Sequence, residues 1–424
     1  MSSFWRIFSL EFLSVLRTKT LAMLLVASVA WMLVAPHLLV ADGTDAGARQ
    51  MCLKYSLGGV VALLSIALLA SATSAIARER EAKRLQLTMV RPVRFFTIAL
   101  GKIAALSVVG ALVLAVATGI EAARQDLSRP CRHVLSPVLP SAREEAERMY
   151  EMYMKDPETP EEVKKTKKSI VIRLLTQRAV DHYQVIPTNA AVAWKMEPLA
   201  ADAMKGLFVR LRFTNTFDVR EDVRGTLSFG GLSGSVSNIT QAVTEIPLAA
   251  LATTAAPTNA ANELVFRNEG ASAVMLRPRR DINLLAPADG LGWNLVRAYV
   301  ELLGLLVLLI SLGVFLGAGL GQAPALFTAF VILLLSEVSP SVVDQYPDQL
   351  ETNTVDRIGL SITRMAAEAT HPLSTLTPLT KLAEDERVET REVVRASCLN
   401  LLVLPLIFAF LSALVLPRKE NGAT

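Results

Sequence analysis

Five stretches of this 424-residue chain are long, apolar and free of Asp, Glu, Lys and Arg, and they constrain its fold more than any other feature. A helix crossing ~30 Å of hydrocarbon needs about 20 such residues, and lipid offers no partner for a loose backbone group. Leu21 to Ala41, Tyr55 to Ala77, Ile103 to Ile120 and Ala396 to Pro417 each supply one span. The fifth stretch, Leu302 to Ser336, is too long for one. Its segment GAGLGQAP (317–324) interrupts a helix with Gly and Pro, which predicts two spans joined by a tight turn, the first starting near Trp293. Arg297 and Glu301 then fall one helical turn apart near the outer end of that span, placed to pair. The expectation is a polytopic α-helical membrane protein with six transmembrane helices, and a composition 52% hydrophobic and 19% charged, with mean hydropathy +0.41, agrees with it.

Lysine and arginine orient the spans. Arg6, Arg17 and Lys19 precede the first, Arg78, Arg80, Lys83, Arg84, Arg91 and Arg94 lie between the second and third, and Arg418 and Lys419 follow the last. One topology puts all three groups inside, with both termini cytoplasmic. The stretches 42–54, 121–292 and 345–395 then lie outside. The net charge of +4 is dispersed beside apolar runs and reads as an orientation signal; no nucleic-acid partner is expected. No cleavable signal peptide is expected either, since Leu39 stands where a small residue should precede cleavage after Ala41.

Residues 1–20 form an amphipathic lead, with Phe4, Phe8, Phe12, Val15 and Leu16 near helical spacing and basic residues among them. It suits a helix lying on the inner membrane face. Between the second and third spans, RERE (78–81) opens a charged turn, Leu85, Leu87, Met89 and Val90 continue a short helical pattern, and Pro92 stops it. The chain re-enters the membrane through Phe95 and Phe96, with Lys102 able to snorkel. Held at the ends of two spans, the 78–96 loop is a handle on which a soluble partner could push; the plainer reading is a solvated loop whose arginines only fix topology.

These residues resemble a family. Glu11, Arg17 and Lys19 in the lead, Glu79 and Glu81 ending the second span, then Pro92, Arg94, Gly101 and Lys102, in the arrangement E-R-E…P-V-R…L-G-K, are similar to permease subunits of type 2 ABC transporters. The kind resembled is the exporter kind that includes permeases associated with multi-copper enzyme maturation. The resemblance implies that 1–20 is a connecting helix and that the loop is a coupling helix seated on a separate cytoplasmic ATPase. Glu79, Glu81, Arg84, Pro92 and Arg94 would transmit to that partner, Gly101 and Lys102 would mark membrane re-entry, and Glu11 and Arg17 would belong to the connecting helix. It also implies a second permease subunit, a bacterial inner-membrane location, and ATP and Mg bound by the partner with no cofactor on this chain. Many members carry Gly-Thr soon after the acidic pair, where this chain has Lys83-Arg84.

Hydrolytic parts are not apparent in the sequence. Gly101-Lys102 lacks the Gly of a phosphate-binding loop five places earlier, where Phe96 stands, and Ile103 follows in place of Ser or Thr. GLSGSVS (231–237) reads as a Gly/Ser turn in a β-rich domain. Ionisable residues are nearly absent from the spans, which argues against a proton- or ion-coupled pump. Ser65, Ser71, Thr73, Ser74 and Thr118 suit close helix packing better than a polar pathway.

The external domain, 121–292, has two parts. Ser141 to about Arg178 is charged and helical, with a capping box at Thr159, Pro160 and Glu162. From Tyr183 the period becomes two: Leu207, Val209, Leu211 and Phe213 alternate with Phe208, Arg210 and Arg212, and GTLSFGG and ELVFRNEGASAVML add strands. A helical stalk and an antiparallel β-sandwich are expected, the last strand, DINLLAP, leading into the fourth span. The organisation is thus 1–20, 21–120 (spans one to three), 121–292, 293–344 (spans four and five), 345–395, 396–417 (span six) and a tail, 418–424. In the 345–395 loop, Ile358 to Ala367 suits a short helix on the outer face.

The four histidines, His37, His133, His182 and His371, are widely separated and show no metal-ligand spacing. Cys52 and Cys131 are both external and could form a disulfide, while Cys398 starts the sixth span. Asn238-Ile239-Thr240 is a sequon that counts only where such sites are glycosylated. The reading is a non-enzymatic permease subunit whose external domain could meet an envelope protein. The alternative is a membrane-anchored envelope scaffold or sensor that transports nothing.

Overall fold

The computed structural model describes residues 3–39, 45–81, 94–139, 142–155, 166, 168–197, 206–214, 221–240, 243–253, 262–345, 361 and 376–420. Among these the chain forms two compact units, one drawn from the stretches up to Cys131 and from Asp289 onward, the other from Arg132–Ala288.

The first unit begins with α1 (Ser3–Arg17) and α2 (Thr20–Leu38). The Thr18 hydroxyl donates to the Ser14 and Val15 carbonyls, and Lys19 takes the left-handed conformation (φ 58°), so the amphipathic lead ends just before the apolar run begins. Two long helices follow, α3 (Asp45–Glu81) and α4 (Phe95–Arg124). Inside α2, Pro36 has no N–H to give the Met32 carbonyl four residues earlier. The Arg124 guanidinium supplies the missing donor, 2.9 Å from that oxygen. Trp31 Nε1 donates to the Tyr55 carbonyl of α3 at 3.1 Å, and it reaches there only because Gly59 has no side chain: a Cβ would lie 2.0 Å from Trp31 Nε1.

The second unit holds β1 (Pro130–Leu135, whose first two residues belong to the first unit) and the helices α5 (Ala142–Lys155) and α6 (Lys168–Gln184), which pack around Ala146, Val171 and Leu175. The capping box expected at Thr159, Pro160 and Glu162 lies outside the described residues. Strands β2 (Val185–Ile186), β3 (Ala191–Lys195), β4 (Phe208–Arg212), β5 (Asp222–Phe229), β6 (Leu232–Ile239), β7 (Val243–Pro247), β8 (Ala252–Thr253), β9 (Glu263–Asn268) and β10 (Val274–Met275) precede the short α7 (Pro278–Asp281) and β11 (Ile282–Gly290). They form a four-stranded sheet β1-β11-β4-β7, a five-stranded sheet β3-β9-β5-β6-β8, and the pair β10-β2. The alternation read in 207–213 is real: Leu207, Val209, Leu211 and Phe213 are all buried, in a core shared by the two larger sheets, where the Phe213 and Phe266 rings stand 5.0 Å apart. Gly230 and Gly231, both at positive φ, close the β5–β6 hairpin in two residues. GLSGSVS is therefore the end of that turn and most of β6, and not a turn throughout.

The first unit resumes with α8 (Leu291–Gly319), α9 (Gln322–Gln345), α10 (Leu376–Ala383) and α11 (Thr390–Ser397), which passes through a π-helical stretch, Cys398–Val403, into α12 (Leu404–Glu420). The break expected at 317–324 falls at Leu320-Gly321. Gly313 and Gly317, spaced G-x-x-x-G, bring α8 against α3: a Cβ on Gly317 would sit 2.3 Å from the Thr73 carbonyl oxygen. The hydroxyls of Ser71, Thr73, Ser74 and Thr118 all bond back to carbonyls of their own helix, as packing residues do. Of the helix expected over 358–367 only Ser361 is described.

Among the described residues five helical stretches are long and apolar enough to cross a membrane: Thr20–Leu38, Gln50–Glu81, Phe95–Arg124, Leu291–Gly319 and Thr390–Leu416. The remaining expected span, the fifth in chain order, corresponds to α9, whose described apolar part, Gln322–Leu335, is shorter than a span. The chain is that of a multi-pass membrane protein with a sheet-rich unit.

Candidate functional site

The first turns of α4, the last turn of α3 and the middle of α1 meet at a buried cation. Lys102 is 3% exposed, and its ammonium donates to Glu11 Oε2 at 2.7 Å and to Glu79 Oε1 at 2.8 Å. A lysine in this place was expected to snorkel; it turns inward instead, because two carboxylates are waiting there. Taking such a charge out of water costs several kcal/mol, which only close, hydrogen-bonded partners offset. Two carboxylates against one ammonium leave the cluster with a formal charge of −1. Gly101 makes the neighbouring contact: a Cβ there would lie 2.8 Å from Ile7 Cγ2, so the glycine lets α1 settle on α4 while the next residue bonds it.

The same turn of α3 reaches a second neighbour. The Arg80 guanidinium donates to the Ala318 and Leu320 carbonyls, both at 2.9 Å, and Arg78 Nε donates to Gln322 Oε1 at 3.3 Å. The Gln322 amide donates to Glu81 Oε1 at 3.2 Å. Glycine and proline break the chain between α8 and α9, leaving the last carbonyls of one helix and the first amide of the next without partners in their own helix. Arg80 and Glu81 supply them.

Of the residues singled out from the sequence, Glu11, Glu79, Gly101 and Lys102 therefore come together, and Glu81 stands beside them on the α8–α9 turn. Arg17 is exposed in the last turn of α1. Arg94 precedes α4, where its carbonyl accepts from the amides of Thr97 and Ile98. Arg84 and Pro92 lie outside the described residues, as does the short helical pattern from Leu85 to Val90. In the sequence Arg78 and Arg80 read as orientation charges in the charged turn that opens the coupling loop, with no bond to another helix expected. The available signal was the helix-breaking GAGLGQAP, which creates polar backbone groups that some donor has to satisfy.

A separate polar group gathers in the first unit where β11 gives way to α8. Arg129 pairs with Asp385 at 2.6 Å. Asn294 donates to the Glu386 carbonyl and accepts from the Val388 amide, both at 2.8 Å. Arg297 pairs with Asp289 at 2.8 Å and not with Glu301, because the aspartate just ahead of α8 is within its reach. Cys131 lies beside this group as a thiol pushed up to about 11, chiefly by burial and then by the Asp385 carboxylate. All three cysteines are free, so the disulfide considered for Cys52 and Cys131 is not formed.

In the second unit, Glu245 accepts from Arg132 and, at 3.1 Å, from Arg210. Burial pushes its carboxyl up, but the two guanidiniums outweigh that and hold it below the usual range. Among the described residues no group of three or more His, Cys, Asp or Glu is placed to hold a metal ion. Comparison of the chain with protein-family models, with curated proteins and with solved structures gives no match.

Proposed function

We propose that this chain is the membrane-spanning permease subunit of an ABC transporter of the type 2 exporter kind, driven by ATP hydrolysis in a separate cytoplasmic chain. The observation that carries the reading is the buried triad. Glu11, Glu79 and Lys102 were selected by resemblance to that family from three distant places in the sequence, and they meet in one ion cluster joining the lead helix to the ends of two spans. In this reading the chain has six spans, with α9 as the fifth, and both termini face the cytoplasm of a bacterial inner membrane. Two such subunits face each other. Closure of two partner ATPases presses on the 78–94 segment, α3 and α4 tilt, and a pathway between the subunits opens outward.

The test is affinity purification of the tagged chain in mild detergent, with mass spectrometry and an ATPase assay. Reversing Glu79 would also break the triad, so the coupling variant is Arg84→Glu with Arg94→Glu. Recovery of an ATPase with the parent chain, and its loss or uncoupling with the variant, is the expected result. Absence of any ATPase from an intact preparation would turn the reading toward an envelope scaffold acting through its sheet unit.

A further inference from the structure

We propose that Arg80 is a positioning residue that carries movement of the end of α3 into the α8–α9 turn, so that the transmission path runs into the centre of the helical unit as well as into α4. The inference rests on the permease reading above and names a part that reading does not contain.

Four consecutive residues in the last turn of α3 divide their bonds between two neighbours. Glu79 takes Lys102 of α4, and through that ammonium it is joined to Glu11 of α1. Arg78, Arg80 and Glu81 take Gln322, Ala318 and Leu320, all at the α8–α9 break. Arg80 dominates this second set. Its planar fork spans two carbonyls at equal distance, a geometry that a single hydroxyl or ammonium does not reproduce. A cation on the last carbonyls of a helix is also favoured by the helix dipole.

Rigid packing stands behind the fork. Five residues before the first arginine of the turn, Thr73 meets Gly317 so closely that a Cβ would collide with its carbonyl. The two helices are therefore in near backbone contact where Arg80 begins to hold, and the α3 end cannot shift far without taking the α8 end with it. Of the α8 window long enough to span, 83% is buried within the unit, so a displacement entering there reaches the core and not the rim.

The experiment uses the full chain in nanodiscs, bound to its recovered ATPase, with Cys52, Cys131 and Cys398 replaced. Nitroxides are attached at Ala323, exposed at the start of α9, and at Leu112, exposed on α4. With Arg80 present, the distance between the labels is expected to differ between nucleotide-free and ATP-bound complexes. Arg80→Gln should abolish that difference in complexes matched to the parent chain for ATPase content, and Arg80→Lys should keep part of it, since an ammonium reaches one carbonyl well. A purely structural arginine would lower thermal stability and leave the ATP-linked shift in place. An undiminished shift in Arg80→Gln overturns the proposal and leaves the permease reading standing. If no ATPase is recovered with the parent chain, the permease reading fails and the proposal falls with it. Should Arg80→Gln not insert, Arg80→Lys decides alone, and a shift equal to that of the parent chain overturns the proposal.

Discussion

The pair α3 and α8 and the pair α1 and α2 belong to the same unit but are held in it by different physics. Helices α2 and α8 are both apolar enough to span, yet 22% of the α2 window is buried against 83% of the α8 window. The centre is held by close approach: Gly313 and Gly317 remove the side chains that would keep α8 off α3. The N-terminal pair is held by a few polar pins. Lys102 fastens α1, while Arg124 of α4 donates to the Met32 carbonyl of α2 and Trp31 of α2 donates to the Tyr55 carbonyl of α3. Packing of the first sort cannot be mended by changing a charge. A pin can be removed with its partners at much lower cost, because most of the penalty lies in the group left behind.

The largest test of that contrast is Lys102→Met. Two partly exposed carboxylates lose their cation, at a cost of about 3 kcal/mol, the low end for an uncompensated buried charge because both keep some contact with water, and hydrogen exchange should show amides 3–17 of α1 losing protection. Adding Glu11→Leu and Glu79→Gln should recover most of the loss. Failure of the triple variant to recover would mean that the triad is part of the packing and not a pin. Gly317→Val comes next, at about 1–3 kcal/mol or more for an overpacked contact against backbone. Thermal unfolding in detergent should reveal it, and no second charge change should rescue it.

Arg124→Met ranks third, at about 1–3 kcal/mol for a buried carbonyl left without a donor. It carries its own control. Pro36→Ala returns an N–H to the Met32 carbonyl, so the double variant should be more stable than the sum of the two single effects predicts. The share due to Glu121, 3.9 Å from the same guanidinium, should remain. Additive effects would show that the pin at Met32 contributes nothing.

Much of the first unit was legible because hydrocarbon demands uninterrupted apolar runs, and the chain breaks at Leu320-Gly321 where glycine and proline stop a helix. Which spans sit centrally was written in the G-x-x-x-G of 313–317, a signal that mean apolarity hides. The triad was half legible: Glu11, Glu79 and Lys102 could be selected, but nothing in a sequence tells that residues 91 apart will share a proton-donating ammonium, since the pairing depends on how α1 folds back over α4. The roles of Arg78 and Arg80 were hidden for the same reason, and the π-helical stretch at Cys398–Val403 has no pattern that sets it apart from its flanks. In the second unit the alternation of 207–213 was plain, whereas the order β1-β11-β4-β7 joins strands far apart in the chain and follows from no local signal.

The smallest effect belongs to the sheet unit, which has a pin of its own on the β4–β7 pairing. Glu245 on β7 faces Arg210 across the β4–β7 pairing and also accepts from Arg132. Because its carboxyl is held below the usual range in the folded protein, it binds a proton more readily once unfolded. Its contribution to stability is therefore complete above the ordinary carboxylate range and is lost as pH falls through that range towards the folded value. Hydrogen exchange of β4 and β7 should accelerate under mild acid in the parent chain. Glu245→Gln should exchange faster at neutral pH and show less acid dependence, since an amide has no proton to gain, while amides of α3 and α8 stay unchanged in both. Equal acid dependence with and without the carboxylate would locate the acid-sensitive group elsewhere in the sheet. The pin would then be set by geometry alone, and the division between packed centre and charged fastening would hold only for the helices.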